Sequence, residues 1–294
     1  MATSTSTGSA PTPGRRLRSV ALVVVGIVSV QVGAAVAKSI FDEVSPTTLV
    51  WLRLVTSAVV LTLVTRPVLT GRSGADWRTA VGFGVSLAVM NWAIYQSFAR
   101  IPLGIAVTIE FVGPLAVALS GSRRPRDLVW VAIAGVGVAL LGFERADLDW
   151  VGVAYALAAG VAWGAYILLS AQTGRRWPGF DGLSVASVVA AGILLGPAVV
   201  TGGGHLLDAR ILLIGLVVGL LSSVVPYSCE LVALRSLPAA TFGILMSLEP
   251  AAAALAAIAV LGEHLSGVQW LAVGCVVAAS VGATYAAGPG RRVG

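Results

Sequence analysis

The sequence predicts an all-α polytopic membrane protein of ten transmembrane helices, arranged as two inverted five-helix repeats. Three observations predict it. Of the 294 residues, 57% are hydrophobic and only 11% charged, and the mean hydropathy is +0.93; a soluble domain carries about a quarter of its residues as charges. Apolar runs long enough to cross a bilayer succeed one another along the chain. One of them, Ile101–Ser122, recurs downstream as Leu237–Leu261, with Pro102 aligned to Pro238 and Pro114 to Pro250 at one constant offset. The net charge of +6 does not point to nucleic acid, because the arginines sit in short groups between apolar runs and form no single stripe.

Taken in order, Met1–Gly14 is rich in Ser, Thr, Pro and Ala, and the N-terminal cytoplasmic segment of residues 1–18 is expected to be disordered. Arg15, Arg16 and Arg18 then lead into the apolar run Val20–Ala37. Its Ala35-Val36-Ala37 end also fits a signal-peptide cleavage site, but the run is long enough to span and many similar runs follow. The spans read as 19–37, 47–65, 78–99, 102–121, 127–143, 150–170, 183–201, 209–232, 238–261 and 266–287. Pro, Gly and charges mark the breaks at Arg66-Pro67, Gly121–Arg126, Glu144–Asp149, Gly174–Asp181 and Gly202–Arg210. Two breaks are very short, Arg100–Pro102 and Arg235–Pro238. A proline in the first helical turn costs little there, since its missing N–H would be unpaired anyway, so both read as tight helical hairpins.

Charge tests the count. With ten spans and a cytoplasmic N-terminus, fourteen cationic positions fall inside, among them Arg66, Arg72, Arg78, Arg123, Arg124, Arg126, Arg175, Arg176, Arg235, Arg291 and Arg292. Only Lys38, Arg100, Arg145 and Arg210 fall outside. The positive-inside rule thus supports ten spans with both termini cytoplasmic. The repeats are residues 19–145 and 146–287, followed by a cytoplasmic tail, 288–294. Five spans per half is odd, so the second half enters from the opposite side. Two such halves can rock about a central site and expose it to each face in turn.

Buried acids are the first candidates for that site. Glu110 lies eight residues after Pro102, roughly 12 Å into the membrane, and Glu249 eleven after Pro238, roughly 16 Å in. Intramembrane carboxyls are costly, so they read as substrate or proton sites; the bland reading is a protonated acid bonded to a neighbouring helix. Under the repeat Glu249 aligns with Gly113 and Glu110 with Met246, so the acids are not symmetry mates. Glu230, one turn after Pro226, reads equally as proton-linked or as a solvated helix end. Arg53 suits a substrate carboxylate or a buried acid, or snorkels to the interface. Asn91 and Tyr95 are i,i+4 neighbours, as are Trp92 and Gln96; with Gln31 they outline a polar cavity or, equally, interhelical hydrogen bonds. Gly160 and Gly164 read as a close-packing face, Lys38 as an interfacial anchor, and Trp51, Trp77, Trp150 and Trp270 as interface residues.

Other chemistries lack their residues. Cys229 and Cys275 lie inside apolar runs and read as small buried hydrophobes, and His205 and His264 have no metal-ligand spacing. The single lysine follows Ala37 and so makes no Walker A loop. No G-x-S-x-G or zinc motif occurs, and neither a cofactor nor a metal is expected.

IPLGIAVTIEFVGPLAVAL and SLEPAAAALAAIAVLGE resemble the drug/metabolite transporter superfamily, EamA type, as do the ten spans in two halves. The pattern Leu248-Glu249-Pro250 followed by Leu261-Gly262-Glu263 is typical of EamA repeats. The first repeat departs from it, with Val112-Gly113-Pro114 and an arginine-rich loop in place of the Gly-Glu ending. That departure, with QVGAAVAK at Gln31–Lys38 and Glu110 before Phe111, resembles the bacterial threonine/homoserine exporter branch. The resemblance implies secondary, proton-driven export of small amino acids across the bacterial inner membrane. On that expectation Glu110, Arg53, Asn91, Tyr95 and Gln31 meet the substrate, and Glu249 and Glu230 carry protons or are structural. The alternatives are export of another metabolite or drug, or a non-transporting membrane enzyme or scaffold.

Overall fold

The computed structural model describes residues 13–120, 128–144, 149–234, 237 and 239–287. The disorder expected in residues 1–12, the loop Arg123–Arg126, the boundary at residue 145, Arg235 and the tail 288–294 lie outside these residues. Among the described residues there is no strand. The helices are α1 (Pro13–Lys38), α2 (Pro46–Thr65), α3 (Gly74–Phe98), α4 (Leu103–Glu110), α5 (Val112–Ser120), α6 (Leu128–Glu144), α7 (Trp150–Arg176), α8 (Asp181–Gly202), α9 (Ala209–Gly219), α10 (Val225–Leu234), α11 (Ala239–Met246), α12 (Glu249–Ala256) and α13 (Gly267–Ala287). Residues 13–18, expected to be irregular, already belong to α1.

Each expected stretch carries helix. Seven described segments are long and apolar enough to cross a membrane on those grounds alone, and Leu103–Val117 and Leu128–Leu140 are shorter apolar helices. Aliphatic side chains cover the outside, with Val161 76% and Val200 85% exposed, as a lipid-facing surface requires.

Local chemistry sets the helix ends. Ser45 caps α2 by accepting the Thr48 N–H, with Pro46 in the first turn. Ser73 and Asp76 form a reciprocal capping box at the start of α3. The Ser73 hydroxyl and N–H hold the Asp76 carboxyl below its usual range. Asp149 and Asp208 cap α7 and α9. Pro102 stands at the N-cap of α4, one residue ahead of the first turn.

The two copies of the repeated stretch break at corresponding places, at Phe111 between α4 and α5 and at Ser247-Leu248 between α11 and α12. Prolines explain both. Pro114 offers no N–H to the Glu110 carbonyl four residues back, nor Pro250 to that of Met246. The first break is also a close crossing. A Cβ on Gly113 would overlap the Gly160 carbonyl, and one on Gly160 would come within 2.7 Å of the Glu110 carbonyl oxygen. Close packing is therefore what Gly160 provides.

Packing runs mainly between the two halves of the chain. Helix α3 lies on α7 and α8; α10 lies on α1, and α9 on α2. Helices α4 and α5 pack on α7, as α11 and α12 do on α1. The pairs α2–α8, α4–α12 and α6–α13 complete the bundle.

Candidate functional site

Between the halves lies a cavity of about 140 Å³, room for a small polar solute and more than a single water needs. Six of the seven sequence-derived candidates line it: Gln31 from α1, Arg53 from α2, Asn91 from α3, Glu110 from α4, Glu230 from α10 and Glu249 from α12. Glu110 and Glu249 are each 7% exposed. Glu110 is within electrostatic reach of Arg53, and Glu249 of both Glu110 and Glu230. None of the ion pairs among the described residues involves Arg53 or these three acids. One guanidinium and three carboxyls thus share a small, largely buried space.

Tyr95 is the seventh candidate, and it stands behind the lining. It is fully buried, with its ring 5.8 Å from the Arg53 guanidinium carbon and packed against Phe41 and Phe98. It supports the arginine from the protein side. The two faces foreseen on α3 also diverge. Asn91 faces the cavity and donates its amide to the Leu87 carbonyl, whereas Trp92 and Gln96 both donate to Thr47 Oγ1 on α2. Interhelical bonding is the role of the second face.

Arg53 is held by an irregular segment. Residues Leu220–Val224, between α9 and α10, form a π-turn in which the Val225 N–H bonds to the Leu220 carbonyl. Pro226 follows and has no N–H to offer. The carbonyls it would otherwise serve are those of Ser222, four back, and Leu221, five back. Both are taken by side chains from the other half: Arg53 Nη2 donates to the Ser222 carbonyl at 2.9 Å, and Ser29 Oγ to the Leu221 carbonyl at 2.7 Å. Arg53 Nε also donates to Ser223 Oγ at 3.3 Å. A buried carbonyl left without a partner is costly, so these bonds fix the guanidinium at the cavity wall.

Sequence reasoning missed several lining residues: Trp163 and Tyr166 on α7, Ser222 and Tyr227 around the π-turn, and Met90 and Met246. Tyr227 was reachable as the neighbour of Pro226 and one turn from Glu230. Tyr166 carried no comparable signal.

Lys38 does more than anchor at an interface. Its ammonium pairs with Glu263 at 2.6 Å and donates to the Ile101 carbonyl at 2.8 Å. Glu263 also accepts the Leu103 N–H, the first of α4, at 2.9 Å. Gly262 makes this possible: its φ of +67° is left-handed and turns the chain so that Glu263 reaches back to α4. The Leu-Gly-Glu pattern is therefore a turn plus a cap.

The EamA-like transporter family matches residues 150–285. The threonine/homoserine exporter RhtA of Escherichia coli is 40% identical over 268 residues, covering 90% of this chain and 90% of its own. RhtA of Salmonella typhimurium is 40% identical over 266 residues, with the same coverage. An uncharacterized transporter of Bacillus subtilis, YwfM, is 29% identical over 205 residues, 64% of this chain and 69% of its own. A solved crystal structure superposes with a TM-score of 0.64 at 18% identity, over 91% of this chain and 97% of its own, a likeness of fold alone.

Proposed function

The chain belongs to the EamA-like transporter family, and from that premise we propose that it exports small amino acids of the threonine and homoserine kind across the cytoplasmic membrane. It is a multi-pass membrane transporter and not an enzyme. The observation that carries the substrate class is the cavity, where a buried guanidinium and buried carboxyls face one small space. A zwitterion needs that pair of charges. Arg53 receives the carboxylate, Glu110 meets the ammonium group with Glu249 nearby, and Gln31 and Asn91 line the polar wall. The 40% identity to threonine/homoserine exporters over 90% of the chain supports the same class.

Transport runs by alternating access of two inverted five-helix halves, residues 19–145 and 146–287, with ten spans and both termini cytoplasmic. The packing pattern supports this. Exchange α1 with α7, α2 with α8, α3 with α9 and α10, α4 and α5 with α11 and α12, and α6 with α13. The contacts α3–α7 and α10–α1 then map onto each other, as do α3–α8 and α9–α2, while α2–α8 and α6–α13 map onto themselves. Export is coupled to protons, which Glu249 and Glu230 exchange with the cavity as substrate comes and goes.

Counterflow in proteoliposomes with a labelled amino-acid panel, with and without a pH gradient, tests the reading. Threonine and homoserine are expected to exchange, faster with a gradient. Equal rates for every amino acid and for empty liposomes would sink it. A Glu110→Gln variant is expected to fold and to lose exchange; wild-type exchange would remove Glu110 from the mechanism.

A further inference from the structure

We propose that Pro226 is a positioning residue for substrate recognition: by withholding an N–H from the π-turn, it leaves the carbonyl that holds Arg53 at the cavity wall. The inference rests on the reading that Arg53 receives the substrate carboxylate.

The π-turn Leu220–Val224 is closed by the N–H of Val225, the residue before Pro226. An N–H at residue 226 would bond to the carbonyl of Ser222, if the helix were regular, or of Leu221, if the π register continued. Both acceptors are instead occupied by side chains from another part of the chain, Arg53 and Ser29. Two vacated carbonyls and two incoming donors match one for one. The guanidinium spends its Nε and one Nη2 hydrogen on Ser223 and Ser222. The other donors of its fork remain for the cavity that Arg53 lines. Tyr95 closes the far side. The arginine therefore meets a carboxylate with little rotamer freedom left to lose, which is how preorganisation raises affinity.

An ordinary structural role for Pro226 makes a different prediction. Proline inside a helix is unfavourable, so replacing it with alanine should not lower thermal stability. If Pro226 positions Arg53, Pro226→Ala gives residue 226 an N–H that competes for the same carbonyl and frees the guanidinium. Recognition weakens while stability holds or rises.

The experiment measures counterflow of labelled L-threonine by the full chain in proteoliposomes, together with thermal unfolding in detergent. Pro226→Ala is expected to raise the apparent KM about tenfold, with the maximal rate and unfolding temperature at or above wild type. In an Arg53→Gln background the same substitution should add nothing, since its effect passes through Arg53. Ser223→Ala, which removes only the Nε acceptor, should raise KM in the same direction and keeps the proposal testable if Pro226→Ala does not fold. Ser29→Ala removes the donor to the other vacated carbonyl and should leave KM near wild type. Unchanged KM in Pro226→Ala and Ser223→Ala, with Arg53→Gln raised, overturns the positioning role alone. Unchanged KM in Arg53→Gln, or no threonine counterflow by the wild type, overturns the reading beneath it.

Discussion

Gly113 and Gly160 bring two backbones into contact beside Glu110, where neither position has room for a methyl group. Gly113→Ala must push α7 away from the break between α4 and α5, and overpacking of this kind costs about 1–3 kcal/mol. Thermal unfolding of the purified protein should show the loss, and threonine exchange should fall with it, because the Glu110 carboxyl moves with the break. Which residues could be foreseen follows from how each one stands out against an apolar background. Glu110, Glu249, Glu230 and Arg53 are charges inside membrane-length runs, and they are visible for that reason. Trp163, Tyr166 and Tyr227 are not, because aromatic residues are ordinary in membrane helices and only the fold turns these three toward the cavity. Ser222 is harder still, since it reaches the wall through a π-turn whose extra residue no periodicity announces. Tyr95 sits on the right helix and serves the right arginine, from behind.

Helix α4 begins at the capping point where Glu263 accepts the Leu103 N–H and pairs with Lys38. All eight of its residues are buried. A carboxylate at a helix N-terminus is favoured by the helix dipole, and here it ties α1, α4 and the segment before α13 together. Glu263→Gln keeps an acceptor for Leu103 but loses the ion pair, and since both side chains are partly exposed the loss should be about 1 kcal/mol. Gly262→Ala must adopt a left-handed conformation that costs an L-residue about 1–2 kcal/mol, so it should displace Glu263 and lower the unfolding temperature at least as much. Gly262→Asn should be milder, because asparagine tolerates that conformation. A Gly262→Ala variant as stable as wild type would separate the turn from the cap. The breaks at Phe111 and Ser247 are foreshadowed by Pro114 and Pro250, but hydropathy reads each repeated stretch as one unbroken span. A helix that breaks and resumes within one or two residues, with no polar loop between, leaves the apolar run intact.

At the scale of the molecule, class and helix order were readable because length and hydropathy act locally, whereas the packing partners, α3 on α7 and α10 on α1, come from contacts between distant residues. If proton exchange drives export, threonine efflux from loaded proteoliposomes should slow several-fold when an ionophore collapses the pH gradient, and Glu249→Gln should remove that dependence while leaving exchange at equal pH intact. A Glu249→Gln variant that still follows the gradient would move the proton site elsewhere. One further consequence follows from the Lys38–Glu263 pair. Two inverted copies of one half, left to themselves, would make a seesaw of equal arms, with the two tilted positions degenerate. Ion pairs join the halves at both ends, Lys38–Glu263 and Glu43–Arg210 at one and Arg72–Asp181 and Arg176–Asp76 at the other, so the balance rests on their difference. A bias of about 1.4 kcal/mol is enough to tilt such a balance tenfold. If the halves rock as proposed, opening either end breaks the ion pairs that close it, and re-forming them draws that end shut again.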